Sequence, residues 1–379
     1  MKIDFPSGTY SLQGSPLPIV PPSQPFNRVA FAAAHVVADP LSNADPSVQP
    51  AIDWPKTMAY RTHLLDLGFG IAEAMDTSQR GMGLDWPNAL ELIRQSLVNA
   101  GPRADLIYSG CGTDQLMPDD ARSLDDVIKA YLEQLHAIQK LGGRIILMAS
   151  RALVRVAKTP DDYVKVYSRV LGEADHPVVL HWLGEMFDRA LKGYWGEDSF
   201  DATMTTALRV IDANVPKVDG IKISLLDHAK EVMMRRRLPA SVKMYTGDDF
   251  NYPALIAGDS KGYSHALLGI FDAIAPAASA ALAALANGDL TTYNRLMAPT
   301  VPLSRLIFRA PTQFYKTGIV FLAWLNGHQD HFIMINGAQA MRPLPYFVDC
   351  FKLADQAGLL ADPHLATTRM KKLLAVYGA

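Results

Sequence analysis

A lysine between two isoleucines is the residue of this chain best suited to covalent chemistry. Lys222 lies within Gly220-Ile-Lys-Ile-Ser224, a short apolar run typical of a parallel strand buried on both faces. Burial favours the uncharged form of an ammonium group, and a neutral amine attacks a carbonyl carbon to form a Schiff base. The alternative is a structural lysine at a strand end, held by a nearby carboxylate such as Asp248. The strand alone leaves both interpretations open.

Segments of alternating strand and helix character must position this lysine. Eight short apolar segments are predicted to be strands, and most are separated by helix-length segments. The predicted strands are 28–36, 70–74, 105–109, 143–148, 177–181, 217–227, 242–246 and 261–266. Such an order predicts a (β/α)8 barrel, since parallel strands joined by right-handed crossovers can close on themselves. An open doubly wound sheet is the alternative, but no G-x-G-x-x-G or Walker sequence supports it.

The chain is expected to have three segments. Residues 1–27 are rich in Pro, Ser and Gly and predict an N-terminal arm, or a cap over the bottom of the barrel, rather than a domain. The barrel itself is assigned to residues 28–290. Residues 291–379 show several helix patterns and no strong strand pattern, which predicts a C-terminal helical extension.

Polar residues at the predicted strand ends are the candidate site, because reactive groups of such barrels gather at the C-terminal ends of strands. Glycine turns and hydroxyl groups there could hold a carboxylate or phosphate, and a lysine near acids and a histidine suits imine chemistry. The candidates, in chain order, are Thr77, Ser78, Gly112, Thr113, Arg151, His181, Lys222, Ser224 and Asp248.

These motifs resemble, in order and spacing, those of the dihydrodipicolinate synthase and N-acetylneuraminate lyase superfamily of class I aldolases. Gly220–Ser224 resembles that family's G-I-K-x-[AS] strand, whose lysine forms a Schiff base with a 2-oxo acid. Thr246-Gly-Asp-Asp249 resembles its [ST]-G-x-D turn, and Gly110–Asp114 is similar to its G-[TA]-G-[SA]-N turn. Thr77 and Ser78 fall on the two threonines of G-T-T-G-E, which bind the substrate carboxylate. The resemblance covers most of residues 28–345.

The resemblance implies a covalent imine at Lys222 with no metal or organic cofactor, and a homo-oligomer such as a dimer or tetramer. Three positions depart from the family pattern. Met148-Ala-Ser-Arg151 replaces the T-P-Y-Y segment and its proton-relay tyrosine, His181-Trp-Leu-Gly184 replaces Y-N-x-P, and Arg80 replaces the acid of G-T-T-G-E. Of the replacements, His181 can shuttle a proton near neutral pH, whereas Arg151 can hold an anionic substrate but cannot release its proton.

The expected function is a class I lyase, aldolase or dehydratase acting on a 2-oxo acid or sugar-acid-like small molecule. The alternative is a catalytically idle barrel that binds a small acidic ligand, which the missing tyrosine favours. Several candidates also have structural interpretations: His35 and His181 as core histidines, and Asp248 or Asp249 as a helix cap. Cys111 is interpreted as a small residue fitted between glycines.

Composition points away from several classes of protein. The 36 basic and 38 acidic residues give no sign of a nucleic-acid or acidic-membrane partner. Two cysteines are too few for a disulfide framework, and the N-terminus has no apolar run of signal-peptide length. A cytoplasmic protein is therefore expected.

Two further segments have local interpretations. A metal site could be suggested by His328, Asp330 and His331, but a surface loop after Asn326-Gly327 is the favoured interpretation. The apolar run 317–325 is expected to be buried, at the barrel flank or between subunits.

Overall fold

The computed structural model describes residues 1–75 and 79–379. Ten strands are assigned in these residues: β1 Lys2–Phe5, β2 Gly8–Ser11, β3 Ala30–Ala32, β4 Gly70–Glu73, β5 Ile107–Cys111, β6 Arg144–Leu147, β7 Val178–Leu183, β8 Val218–Ser224, β9 Lys243–Thr246 and β10 His265–Leu268. Strands β3 to β10 form a closed parallel barrel in chain order, with β10 paired to β3. The prediction of a (β/α)8 barrel is confirmed.

Fourteen α-helices are assigned in the described residues, and most of the first nine follow the barrel strands. They are α1 Trp54–Asp66, α2 Trp86–Ala100, α3 Leu124–Lys140, α4 Arg151–Val156, α5 Pro160–Gly172, α6 Phe200–Ala213, α7 His228–Arg235, α8 Tyr252–Ala257, α9 Ala275–Ala286, α10 Leu290–Met297, α11 Thr300–Ile307, α12 Tyr315–Leu325, α13 Leu344–Gln356 and α14 Pro363–Val376. Their starts carry local signals. Asp53 and Asp85 each accept a backbone N–H and precede a proline in the first turn, and Ser123 forms a capping box with Asp126.

The register of β7 and β8 fixes the lumen around Lys222. His181 pairs with Lys222, and Leu183 pairs with Ser224. Ile221 and Ile223 belong to the large core between strands and helices. Because side chains alternate along a strand, Lys222 and Ser224 point to the opposite face, which is the lumen. A smaller apolar cluster of Phe31, Ala33, Ala72, Met75, Ile146, Met148, Val179, Tyr245 and Leu267 fills the rest of the barrel interior.

One sequence-based placement needs correction. The eighth barrel strand begins at His265, so most of the predicted 261–266 segment precedes it: Gly262 forms an isolated bridge with Asp259, and the strand continues through the apolar Leu267-Leu268 pair. The predicted N-terminal arm contains regular structure. Its first part is the β1–β2 hairpin, whose Tyr10 hydroxyl donates to Asp355 on α13 at 2.8 Å.

The C-terminal helices pack on the barrel flank. Every residue of α12 is buried, and this helix contacts α11, α13 and α14. The expectation that residues 317–325 are buried is therefore confirmed within one chain, so this run offers no exposed face for a second subunit. Homo-oligomerisation stays a prediction. In the described residues, helices long and apolar enough to cross a bilayer are absent.

Candidate active site

Lys222 lies in the lumen towards the C-terminal end of β8. Its side chain is only 7% exposed. Gly247, just after β9, packs directly against it: a Cβ at this position would lie 2.8 Å from Lys222 Cε and 2.3 Å from Ser224 Oγ. The glycine of the Thr246-Gly-Asp-Asp turn is therefore required by space, because any side chain would displace the lysine or the serine.

His181 stands beside Lys222 on the neighbouring strand. Its Nε2 lies 3.1 Å from Ser224 Oγ, and the histidine and serine are both almost fully buried. The strand register brings His181 and Lys222 together as direct partners, so their Cα atoms are about 5 Å apart, the usual spacing of adjacent strands. The register and the contact with Ser224 thus place His181 next to Lys222 in the lumen.

The two aspartates after β9 have different roles. Asp248 accepts backbone N–H bonds from Phe250 and Asn251 and a side-chain bond from Asn251. This is the turn-capping geometry, and it argues against the assignment of Asp248 to substrate binding. Asp249 instead lies within electrostatic reach of Lys222, and burial raises the pKa of its carboxyl to about 7 although Lys222 acts in the opposite direction. The sequence placed Asp249 in the turn after β9 and gave a helix cap as one interpretation of it. In the structure its carboxyl also accepts the N–H of Ile270 at 2.9 Å.

The predicted carboxylate-binding pair, Thr77 and Ser78, lies outside the described residues. The chain approaches this loop from β4 through Ala74, which has a φ of 49°. An L-residue in this region costs about 1–2 kcal/mol. Gly110 on β5 makes the turn possible, because a Cβ there would lie 2.5 Å from the Ala74 carbonyl oxygen. The role of Thr77 and Ser78 stays a prediction.

A buried hydroxyl pair connects the ends of β5 and β6. Thr113 Oγ1 and Ser150 Oγ lie 2.6 Å apart, and Ser150 also caps α4 by accepting the N–H of Leu153. The Ser150 N–H donates to the hydroxyl of Tyr194 at 3.2 Å, and that hydroxyl lies 2.7 Å from the hydroxyl of Tyr167. Two tyrosines therefore support the strand end at which the family tyrosine is missing.

Tyr194 was not among the sequence candidates. It comes from the long segment between β7 and α6, in Gly193-Tyr-Trp-Gly196, where residues 193, 195 and 196 all have positive φ. The two flanking glycines were the available signal, since they allow a tight turn that carries a buried aromatic residue back to the barrel.

Both arginines of the candidate region are engaged in ion pairs. Arg80 is almost fully buried, pairs with Asp114 at 2.7 Å, and also donates to Gln134 and to the carbonyl oxygens of Ala74 and Gly110. The residue that replaces the family acid is thus a structural crosslink between the loops after β4 and β5. Arg151 Nε lies 2.5 Å from Asp188 Oδ2 at the exposed rim.

A cavity of about 470 Å³ opens beside the lumen. It lies between the segments that follow β4, β5, β6 and β7. Gly112 and Thr113 contribute to its wall, as does Arg151 at the rim. The Gly112 N–H donates to Gln134 Oε1 at 2.7 Å, so this wall is fixed from behind.

A second buried lysine lies elsewhere. Lys316, on α12, is 3% exposed, and its Nζ lies 2.8 Å from Asp272 Oδ2 and bonds the Ala33 carbonyl oxygen. His35 Nδ1 lies 2.9 Å from the other Asp272 oxygen. His35 and Lys316 hold the pKa of Asp272 well below its usual range. The core interpretation of His35 is therefore favoured.

The remaining candidates are structural in this arrangement. Cys111 is fully buried, and burial raises the pKa of its thiol to about 12, so the reactive thiolate is absent near neutral pH. Asp330 is exposed and pairs with Lys56 at 3.0 Å. In residues 1–75 and 79–379, no group of three or more His, Cys, Asp or Glu side chains is placed to hold a metal ion.

Comparison with solved structures places this barrel among known ones. A putative dihydrodipicolinate synthetase from Pseudomonas aeruginosa gives a TM-score of 0.64 at 15% identity, covering 87% of this chain and 99% of that chain. The chloride-inhibited dihydrodipicolinate synthase from Acinetobacter baumannii, complexed with pyruvate, gives 0.65 at 16% identity, with 88% and 99% covered. YagE from E. coli K12, a prophage protein of the dihydrodipicolinic acid synthase family in complex with pyruvate, gives 0.67 at 14% identity, with 88% and 99% covered.

The chain therefore has the fold of the dihydrodipicolinate synthases, and the resemblance expected from its motifs is confirmed at the level of the fold. At these identities the likeness is one of fold alone. No curated protein matches the sequence. The family model described as "Protein of unknown function (DUF993)" matches residues 3–379, and the chain belongs to that family.

Proposed function

We propose that the protein is a Schiff-base lyase, an aldolase or dehydratase that acts on a 2-oxo acid through an imine at Lys222. The observation that carries the proposal is the position of Lys222: buried in the lumen on β8, beside His181 and within reach of Asp249. A barrel lumen excludes most water, which favours a neutral amine and stabilises charge that forms on a bound carbonyl compound.

The reaction needs only the lysine, proton carriers and water. The neutral amine of Lys222 adds to the keto carbon, and the carbinolamine loses water to give an iminium ion. In an aldol cleavage the bond between C3 and C4 breaks, its electron pair moves towards the iminium nitrogen to form an enamine, and the C4 hydroxyl gives up its proton as an aldehyde leaves. Protonation of C3 and hydrolysis then release the shorter 2-oxo acid and the free lysine. In a dehydration, loss of a proton from C3 of the iminium ion instead gives the enamine, and the C4 hydroxyl then takes up a proton and leaves as water. Hydrolysis of the conjugated iminium ion releases the unsaturated 2-oxo acid and the free lysine.

His181 is the proton carrier that the lumen offers beside the adduct. An imidazole titrates near neutral pH, and its Nε2 contact with Ser224 provides a hydroxyl through which a proton can pass. Asp249 is a second candidate, because a carboxyl with a pKa of about 7 can both give and take a proton near neutral pH. The hydroxyl groups of Thr77, Ser78 and Thr113 would hold the substrate carboxylate.

Borohydride trapping tests the proposal. The full-length protein is incubated with pyruvate and a panel of other 2-oxo acids, reduced, and analysed by mass spectrometry of its peptides. We expect a covalent adduct on the peptide that contains Lys222 and none on the peptide that contains Lys316, which is equally buried but ion-paired. Lys222→Ala should abolish the adduct, because no other group supplies the amine.

The matched control is Lys243→Ala on the adjacent strand β9. Lys243 pairs with Asp219 at 2.5 Å, and its register partner on β8 is Gly220 rather than Lys222. Trapping should persist in this variant. Loss of trapping in both variants, or an adduct on a lysine other than Lys222, would contradict the assignment. If no 2-oxo acid forms an adduct with the native protein, the alternative of an idle barrel that binds a small acidic ligand takes its place.

A further inference from the structure

We propose that the substrate held at Lys222 ends in an uncharged apolar group, such as an aryl ring or a branched alkyl chain, and that the cavity beside the lumen receives this group. This inference rests on the proposed function and names its substrate class. In the reverse direction of the proposed cleavage, a short 2-oxo acid would be joined to an apolar aldehyde.

The size and walls of the cavity are the first argument. About 470 Å³ is far more space than a three-carbon 2-oxo acid fills, and it lies within the range of pockets for small organic ligands. Apolar side chains from four different segments line it, among them Leu84, Trp86, Leu116, Met117 and Leu191. Such walls stabilise a ligand in proportion to the apolar area that leaves water.

The charges in the wall are the second argument. Its described charged residues are two arginines and three aspartates: Arg80, Asp85, Asp114, Arg151 and Asp188. Each is already engaged: Arg80 with Asp114, Arg151 with Asp188, and Asp85 as the N-cap of α2. With one more negative than positive charge, this wall gives no favourable place for a second carboxylate or a phosphate.

An anionic tail would have to break one of these pairs. The Arg80–Asp114 pair is the costlier to break, because Arg80 is buried and its guanidinium group also donates to three further acceptors, the carbonyl oxygens of Ala74 and Gly110 and the side-chain oxygen of Gln134. Removing one partner from a buried pair leaves an uncompensated charge. An uncharged group needs no such rearrangement, which is why the geometry favours it.

Continuity with Lys222 is the third argument. Met148 belongs both to the apolar cluster of the barrel interior and to the cavity wall. Leu183, also in the wall, is the register partner of Ser224, two residues beyond Lys222 on β8. A substrate whose keto carbon is bound to Lys222 can therefore extend past Met148 and Leu183 into the cavity.

The test compares three 2-oxo acids with the same head. Pyruvate has no tail, 2-oxo-4-phenylbutanoate has an apolar tail, and 2-oxoglutarate has a charged tail. Apparent affinities come from the concentration dependence of borohydride trapping at Lys222. We expect 2-oxo-4-phenylbutanoate to bind about 10–100-fold more tightly than pyruvate, the gain from burying one aromatic side group, and 2-oxoglutarate to gain nothing.

A matched pair of variants locates the tail. Met117→Glu adds a charge to the cavity wall at a side chain that is 62% exposed, so the change does not disturb the core. It should remove most of the preference for 2-oxo-4-phenylbutanoate over pyruvate. Met233→Glu makes the same change at an exposed methionine on α7, outside the cavity, and should leave the preference intact.

The two proposals can fail separately. If pyruvate labels Lys222 but 2-oxoglutarate is preferred to 2-oxo-4-phenylbutanoate, the imine assignment stands and the apolar tail is wrong. Equal affinities for all three acids would also overturn it. If none of them labels Lys222, calorimetry with 4-phenylbutanoate and glutarate decides: tighter binding of 4-phenylbutanoate, weakened by Met117→Glu, supports an apolar cavity, and any other result overturns it.

Discussion

The protein buries two lysines near the same end of its barrel, and their surroundings differ in kind. Lys316 lies between α12 and the barrel, where its ammonium group pairs with Asp272 and bonds a backbone carbonyl oxygen, while His35 holds the other Asp272 oxygen. Lys222 faces the lumen, beside a histidine, a serine and the carboxyl group of Asp249. The pKa of Asp272 lies well below its usual range, whereas burial raises that of Asp249 to about 7.

Under the proposed function, the difference separates a structural lysine from the one that reacts. Burial lowers the pKa of Lys316, but the pair with Asp272 at 2.8 Å acts in the opposite direction and favours the charged ammonium group, which has no lone pair for a carbonyl carbon. Asp249 interacts electrostatically with Lys222 and accepts the backbone N–H of Ile270 at 2.9 Å, and burial raises the pKa of its carboxyl to about 7, so under the proposed function it could serve as an acid. Burial alone therefore does not identify a catalytic lysine, and the proposal for Lys222 depends on its place in the lumen beside His181 and Ser224.

The largest effect is expected from removing the proton carrier of the lumen. His181→Ala should leave slow imine trapping at Lys222 intact but lower turnover by about 10²–10⁴-fold, the usual range for loss of a general acid or base. His176→Ala, an exposed histidine just before β7, is the matched control and should leave turnover unchanged. Single-turnover kinetics with whichever 2-oxo acid labels the native protein would measure the turnover of the native protein and of both variants. Native turnover in His181→Ala would transfer the role to Asp249.

Substitution of Lys316 should lower the stability of the protein but leave imine trapping at Lys222 intact. Lys316→Met leaves Asp272 buried without one of its cations and should lower the free energy of unfolding by about 3–5 kcal/mol. Denaturant unfolding would measure this loss, and the folded fraction should still trap a 2-oxo acid. The double variant Lys316→Met with Asp272→Asn should lose less than the sum of the two single variants, because the orphaned charge is gone. Loss of trapping with native stability would reverse the roles of the two lysines.

Much of this comparison could be predicted from the sequence, but not all of it. The alternation of apolar strands and helices predicted the closed barrel, and the isoleucines around Lys222 predicted its inward direction, because both depend on local periodicity. The bounds of α2 carry local signals of the same kind, since Asp85 caps its start, a proline stands in its first turn and Gly101 follows its end.

What the sequence could not give depends on contacts between distant segments. Tyr194 reaches Ser150 from a loop more than forty positions away, and the Asp272–Lys316 pair joins residues 44 apart. No spacing rule encodes such pairs. The different roles of Asp248 and Asp249 were equally hidden, because neighbouring carboxyl groups in one turn differ only in the direction of their side chains.

His328, a histidine near Lys316, should make the stability of the protein depend on pH in the acid range. His328 packs against His63, with ring centroids 4.6 Å apart, and burial with the neighbouring histidines lowers the pKa of His328 to about 3. Between pH 3 and 6.5 the unfolded chain binds this proton and the native chain does not, so stability falls as the pH falls through this window. His328→Phe should flatten the decline in Tm below pH 6.5, whereas the same change at exposed His176 should not. Parallel Tm profiles for native protein and His328→Phe would contradict the linkage.

Glu231 should change stability with pH in the opposite direction to His328. It also tests how a buried acid without a short ion pair behaves. It lies on α7 against the outside of the barrel, where the hydroxyl groups of Thr246 and Ser264 donate to its two oxygens at 2.8 and 2.7 Å. Burial raises the pKa of its carboxyl to about 8. From pH 4.5 to 8 the native chain therefore keeps a proton that the unfolded chain has released. The stability contributed by this group is full below pH 4.5 and is lost as the pH rises through 8, by at most about 1.4 kcal/mol per pH unit.

Glu231→Gln copies the protonated form and should make unfolding less sensitive to pH between 6 and 9. Glu91→Gln is the matched control: Glu91 pairs with Arg94 at the surface and its pKa lies near 2, so this change should act only in acid. Denaturant unfolding at several pH values would measure both. A Glu231→Gln profile that declines as steeply as the native one would show that hydroxyl donors alone keep this carboxylate ionised.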